Sequence, residues 1–230
     1  ALGSLTSLND LNLLNNRISD ISPIGRLTDL VWLELSNNRI REISALSQLT
    51  YVKHLGLAHN QISDISALTG LDWLQGLNLE SNLLSDLSPL GELVYLDALM
   101  LANNNISDLT SLVTMTSLTS LDLENNDLDT IAPLTELTSL TQLNLADNRL
   151  SSLTTLSSLT QLTWLDLSTN QVTNVEPLEA LSRLRFLNLE HNPVTNLGTE
   201  TDLGSTETDL GSGLELQLEG NPIFDSSEFD

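Results

Sequence analysis

At 230 residues, with 31 acidic side chains against eight basic ones, the chain carries a formal net charge of −23, which argues against partners that present phosphate backbones or anionic membrane surfaces. It contains no cysteine, so neither a disulfide nor a thiol-ligated metal can hold it together, and no apolar run approaches the ~18 residues of a membrane span. Apolar residues make up 40% of the chain but aromatics only 3%, so the core must be assembled from aliphatic side chains. Lys53 is the only lysine. Such an acid excess fits salty surroundings, where self-repulsion is screened, and fits equally a calcium-rich milieu or a basic partner.

Residues 1–7 read as the tail of a repeat, because Leu2, Leu5 and Leu8 have the spacing of Ile24, Leu27 and Leu30 further on. The first full motif is Leu8-Asn-Asp-Leu11-Asn-Leu13-Leu-Asn-Asn16-Arg-Ile18, or LxxLxLxxNx[IL]. Its asparagine returns every 22 residues as Asn38, Asn60, Asn82, Asn104, Asn126, Asn148, Asn170 and Asn192. A short fixed period stacks into one quasi-linear body. We therefore expect a single elongated domain over 1–230, with 8–197 in regular register.

Within each repeat, the alternation of Leu33-Glu34-Leu35 predicts a short strand with one buried face. Stacked repeats make these strands parallel neighbours about 4.8 Å apart. The asparagine turns the chain away, and its amide can donate to and accept from backbone groups of adjacent turns that burial would otherwise orphan. Return segments such as Ile62-Ser-Asp-Ile65-Ser-Ala-Leu68-Thr-Gly-Leu71 place apolar residues three apart, which predicts 3₁₀ turns. Ser-Asp ahead of the apolar run offers capping, and Pro23, Pro89, Pro133 and Pro177 share a register where an N–H is dispensable. The expected fold is an α/β repeat solenoid in a shallow arc, with about ten short parallel strands on the concave face and 3₁₀ turns on the convex face.

These units, Ile18-Ser-Asp-Ile21-Ser-Pro-Ile24 and Ile62-Ser-Asp-Ile65-Ser-Ala-Leu68 joined to the LxxLxLxxN motif, resemble the leucine-rich repeats of bacterial internalins. The regulatory leucine-rich-repeat proteins of phosphatase-1 use a similar unit. The resemblance covers Leu2 to Leu197 and implies a right-handed leucine-rich-repeat superhelix. It also implies a bacterial surface or secreted protein. Internalins carry a helical cap before the repeats and an immunoglobulin-like domain after them, and neither is visible here.

After Asn192 the register shifts. Residues 199–205 read TETDLGS and 206–212 repeat those letters, so the next motif asparagine, Asn221, falls 29 residues on. Either register puts Glu200 or Glu207 where an apolar residue belongs, which predicts a solvated acidic loop over 198–212. Residues 213–230 are expected to form a last strand, Leu214-Glu-Leu216-Gln-Leu218, and a cap in which Asn221-Pro222-Ile223-Phe224 folds over the final core layer. Beyond Arg185 the only basic side chain is His191, and the acids there guard the C-terminal edge against strand pairing. The N-terminal edge has no such guard, so we expect more chain before Ala1 or another molecule over that edge, self-association included.

With the paired leucines pointing inward, the residues before, between and after them are expected to line the concave sheet. Trp32, Glu34 and His54 form one cluster and Trp164, Asp166, Phe186 and Glu190 another, separated by small residues at Gly56, Ala58, Gly76, Ala98 and Ala102. Together with Glu80, Met100, Asp122 and Glu124 they are the candidate ligand-binding set. Aromatic area for burial beside carboxylates for Arg or Lys suits a basic protein ligand; the plainer alternative is scattered aromatics on a sheet that favours them. Tyr51, Trp73 and Tyr95 share one register just before the strands, an edge ladder that could contact sugar or protein or simply shield the leucines beneath. His54, His59 and His191 match no metal-ligand spacing, and no serine stands in a nucleophile elbow. No metal, cofactor or enzymatic activity is expected. The functional expectation is a non-enzymatic protein-binding module, extracellular or on a cell surface; the alternative is a structural segment of a larger surface or matrix protein.

Overall fold

The computed structural model describes residues 2–195, 197 and 214–222. The acidic loop expected over 198–212, and Ile223 and Phe224 of the expected cap, lie outside the described residues. Ten strands of three residues each form one parallel sheet in sequence order. They are β1 (Asp10–Asn12), β2 (Trp32–Glu34), β3 (His54–Gly56), β4 (Gly76–Asn78), β5 (Ala98–Met100), β6 (Ser120–Asp122), β7 (Gln142–Asn144), β8 (Trp164–Asp166), β9 (Phe186–Asn188) and β10 (Glu215–Gln217). Equivalent residues pair from strand to strand, Leu33 with Leu55 and Leu55 with Leu77. At the end Glu215 pairs with Phe186, the 29-residue step that the duplicated heptad predicts.

The return arms are 3₁₀ turns, and none of the described residues is in an α-helix. Proline stands in their first turn at Pro23, Pro89, Pro133 and Pro177, where its missing N–H costs nothing. Capping comes from the aspartate two residues before the turn begins. Asp20 Oδ1 accepts from the Ser22 N–H at 2.9 Å, and Asp64 and Asp86 accept from the Ser66 and Ser88 N–H groups at 2.8 Å. The arms are not uniform: the turns at Ser66–Leu68, Ser88–Leu90 and Thr110–Leu112 span three residues, whereas Ser22–Arg26, Ser44–Gln48, Ala132–Glu136, Thr154–Ser158 and Glu176–Ala180 span five.

Between sheet and arms runs one continuous aliphatic core of stacked leucine and isoleucine columns. Each fully buried Leu contributes on the order of 2 kcal/mol, so the solenoid is stabilised repeat by repeat rather than by one central nucleus. The motif asparagines tie the repeats together. Asn104 Nδ2 donates to Leu79, Leu101 and Ala102 carbonyls at 3.0, 3.0 and 3.2 Å, while its Oδ1 accepts from the Leu84 N–H at 3.0 Å. The same set recurs at each interior asparagine, and Asn221 continues it with the Leu189 carbonyl at 2.7 Å. Immediately before each asparagine the backbone is left-handed, from Asn15 (φ 59°) to His191 (φ 55°), a conformation that asparagine tolerates better than most residues.

The ends of the column are less closed than its middle. In the first repeat Leu5 and Leu14 are 52% and 39% exposed and Leu2, Leu8, Leu11, Leu13 and Ile18 are only half-buried, as are Leu214, Leu216 and Leu218 around β10, whereas the leucine and isoleucine columns from Ile21 to Leu189 are closed off.

Candidate functional site

The leucine between the variable positions is buried in β2 to β9 and half-buried in β1 and β10, so the flanking residues project from the strand face. In the column between the paired leucines, most side chains first serve their own backbone. Asn78, Asp122, Asn144, Asp166 and Asn188 each accept, through Oδ1, the N–H two residues on, at 2.8 to 3.1 Å, and Glu34 does so through Oε1 to Ser36 at 2.7 Å. The column is therefore rich in Asn and Asp for a reason internal to the fold: a short acceptor closes the turn that ends the strand. Gly56 and Met100 offer no such acceptor.

The column after the leucines departs from the expectation that it lines the open face. Ser36, Ala58, Ala102 and Ala146 are buried, because the chain there already curves into the left-handed residue and its carbonyls accept from the preceding repeat, as Ala58 does from the Asn37 N–H at 2.8 Å. Glu80, Glu124, Ser168 and Glu190 are half-buried, and only Leu14 and Glu219, in the two end repeats of the described residues, are exposed.

Trp32 and His54 are neighbours across β2 and β3, Trp32 half-buried and His54 exposed. The glycines between the clusters are not an empty floor. A Cβ on Gly56 would come within 2.3 Å of the Glu34 carboxylate, and one on Gly76 within 3.0 Å of His54 Nδ1. Glu34 and His54 thus lie across the next strand, and any side chain at Gly56 would displace the Glu34 carboxylate from this position.

Six strands away, about 29 Å at strand spacing, Trp164 and Phe186 stack in parallel, with ring centroids 5.1 Å apart and planes 5° from parallel. Asp166 beside them is committed to Ser168 N–H, Ser168 Oγ–H and Asn188 Nδ2–H at 2.8, 2.7 and 3.0 Å. A depression of about 300 Å³ adjoins Trp164, lined by Met100, Ser120, Asp122, Gln142 and Asn144. Ser120, Gln142 and Asn144 were not among the candidate residues; the signal that could have found them is small Ser120 on β6, between bulky Met100 on β5 and Trp164 two strands on at β8. Burial pushes the Asp122 carboxyl above the usual carboxylate range, and the Glu124 and Glu80 charges add to this against the Glu124 N–H and the Asn144 amide. Glu124 Oε2 accepts from Asn144 Nδ2 at 3.0 Å, and Glu80 Oε1 lies 3.6 Å from His59 Nε2. Among the described residues no group of three or more His, Asp or Glu side chains could hold a metal ion, and no helix is long and apolar enough to cross a membrane.

At the edge, Trp73 and Tyr95 stack with centroids 6.1 Å apart and planes 8° from parallel. Tyr51 continues their register and is 62% exposed.

The family model for paired leucine-rich repeats matches residues 28–69, 50–92, 116–158, 138–179 and 160–203. Internalin C2 of Listeria monocytogenes is 33% identical, with a TM-score of 0.78, over 82% of this chain and 83% of its own. The chain belongs to the internalin-like leucine-rich-repeat proteins. Internalin InlF of the same organism is 34% identical with a TM-score of 0.88 over 94% of this internalin-like chain, which spans 62% of the InlF structure. The ectodomain of the Arabidopsis receptor kinase HAESA, solved with an N-terminally extended IDA peptide hormone, is 26% identical with a TM-score of 0.73 over 84% of this chain and 36% of its own. No curated protein sequence matches the chain.

Proposed function

We propose that this internalin-like solenoid is a non-enzymatic protein-interaction module that binds a basic protein ligand on its concave face, within a bacterial surface or secreted protein. The observation that carries this reading is the parallel Trp164–Phe186 stack beside the Met100–Asp122–Trp164 depression: flat aromatic area, partly desolvated, with carboxylates at its border, is the make-up of an interface anchor. The Trp32, Glu34 and His54 cluster supplies a second contact, and Glu80, Glu124, Asp166 and Glu190 set the sign of the field. The relatives support it, since a related solenoid was solved holding a peptide ligand. The test is affinity capture with this chain and with a Trp32→Ala/Trp164→Ala/Phe186→Ala variant, followed by titration of the captured ligand. Basic ligands bound by the parent are expected to bind Trp164→Ala and Phe186→Ala at least about ten-fold more weakly, and more weakly again as salt rises. Equal recovery by parent and triple variant would place the interface elsewhere.

A second reading, a structural segment that self-associates through its first repeat, is favoured by the exposure of Leu5 and Leu14. Sedimentation over a wide concentration range separates the two, because a monomer throughout removes self-association.

A further inference from the structure

Beyond the first repeat, the large apolar side chains left exposed among the described residues gather on one edge. Tyr51, Trp73 and Tyr95 are 62%, 55% and 57% exposed, and Val94 and Val113 are 40% and 42% exposed; Leu83 alone stands apart. All five occupy the stretches that lead from arm to strand in consecutive repeats; Tyr51 follows the five-residue turn Ser44–Gln48, whereas Trp73, Val94, Tyr95 and Val113 follow the turns that span three residues. There Thr69 (φ −58°, ψ 126°) and Gly70 (φ 85°) form a type II-like corner, and a Cβ on Gly70 would meet nothing within 4 Å.

The fold itself does not need these rings. The same register holds Asp29, Ser117, Ser139, Gln161 and Arg183 in other repeats. Leu118 and Leu140, each beside one of those serines, are as fully buried as Leu74 and Leu96 beside Trp73 and Tyr95, all four at 0% exposure. Shielding of the core therefore does not account for the aromatics.

Their charged surroundings indicate the occupant. Asp72, Glu92 and Asp97 are exposed along this edge, while Lys53 is half-buried, and a second copy of the chain would bring another net charge of −23. We propose that the Tyr51–Trp73–Tyr95 edge is a second docking surface, separate from the concave face, and that it takes an arginine-bearing segment of a partner protein. A planar guanidinium stacks on the outer faces of the Trp73–Tyr95 pair while its N–H groups reach Asp72 or Asp97, a combination that a lysine ammonium reproduces less well.

The probe is a blocked peptide of three Arg-Leu-Ser units, its lysine counterpart and cellohexaose, each titrated at about 150 mM salt to suppress non-specific attraction. The protein is compared with Trp73→Ser/Tyr95→Ser, serine being what this register already holds at Ser117 and Ser139, and with Trp164→Ala/Phe186→Ala. The edge variant leaves net charge unchanged, and its circular dichroism is expected to match the parent. The arginine peptide is expected to bind the parent and the Trp164→Ala/Phe186→Ala variant alike, the edge variant about ten-fold more weakly, and the lysine peptide several-fold more weakly than the arginine one. Four results overturn the proposal: no arginine-peptide binding to the parent, equal binding to parent and edge variant, loss confined to the Trp164→Ala/Phe186→Ala variant, or a preference for cellohexaose. A dimer that the edge substitutions dissolve would also overturn it, because the occupant would then be a second copy.

Discussion

Asn82 and Asn78 stand four residues apart in one repeat and carry the same side chain, yet they do different work. Asn82 is 6% exposed; its Nδ2 donates to the Leu57, Leu79 and Glu80 carbonyls at 3.0, 3.0 and 3.2 Å and its Oδ1 accepts from the Ile62 N–H at 3.0 Å. It bonds two successive repeats at once. Asn78 is half-buried, and its side chain accepts the Glu80 N–H at 3.0 Å through Oδ1. The first position is asparagine in every repeat, whereas the second becomes Glu34, Gly56, Met100 or Asp122 elsewhere. A column that closes backbone groups across the stack is fixed; a column that closes one local N–H is open to other demands, including a ligand's.

The sharpest way to break this comparison is to truncate both. Asn82→Ala leaves the buried Ile62 N–H without a partner and removes one of the two donors from each of the Leu57, Leu79 and Glu80 carbonyls, and is expected to cost about 2–3 kcal/mol, seen as a large fall in the urea midpoint. Asn78→Ala, with water available to the Glu80 N–H, is expected to cost less than about 1 kcal/mol. Losses of similar size would mean that the Asn82 network is not what couples the repeats.

The fixed columns were also the legible ones. Leucine spacing and the recurring asparagine predict the strands, their register and the amide network, and the duplicated heptad predicts the shifted pairing of Glu215 with Phe186. What one repeat does to the next was not legible. The lean of Glu34 over Gly56 depends on side-chain rotamers across two strands, the burial of Ser36 and Ala58 depends on where the strand stops, and the commitment of Asp166 to three donors makes a carboxylate that looks free in sequence a structural one. The sequence marks which positions vary, but variation alone does not separate a turn-closing acid from a ligand-facing one.

A smaller effect is expected where a residue disagrees with the backbone of its own column. The left-handed position before each motif asparagine is Asn at 15, 37, 103 and 125 but Thr at 169, where φ is 54°, and a β-branched side chain is strained there. Thr169→Asn is expected to stabilise the protein by about 0.5–1 kcal/mol, read as a raised melting temperature with an unchanged circular dichroism spectrum. No gain would show that Thr169 relieves its strain through its neighbours.

The smallest effect tests the open column by pH. Asp64, hydrogen-bonded by the Ser66 N–H and hydroxyl, has its pKa lowered below 3.8, so it adds stability that is present above that value and lost as pH falls through its folded-state pKa. Asp20 and Asp108 behave alike through Ser22 and Thr110. Asp122 runs the other way. Its pKa is raised above 3.8, first by burial, so its charge is a cost that is complete above the folded-state pKa and gone once pH falls below 3.8. Asp122→Asn keeps the acceptor for the Glu124 N–H and removes the charge. It is therefore expected to be more stable than the parent at pH 7, by less than about 1 kcal/mol given partial exposure, with the difference closing as pH is lowered toward 3. A variant less stable at pH 7 would show that the Asp122 charge is held by its neighbours rather than opposed by them, and the depression beside Trp164 would then need no cation to be complete.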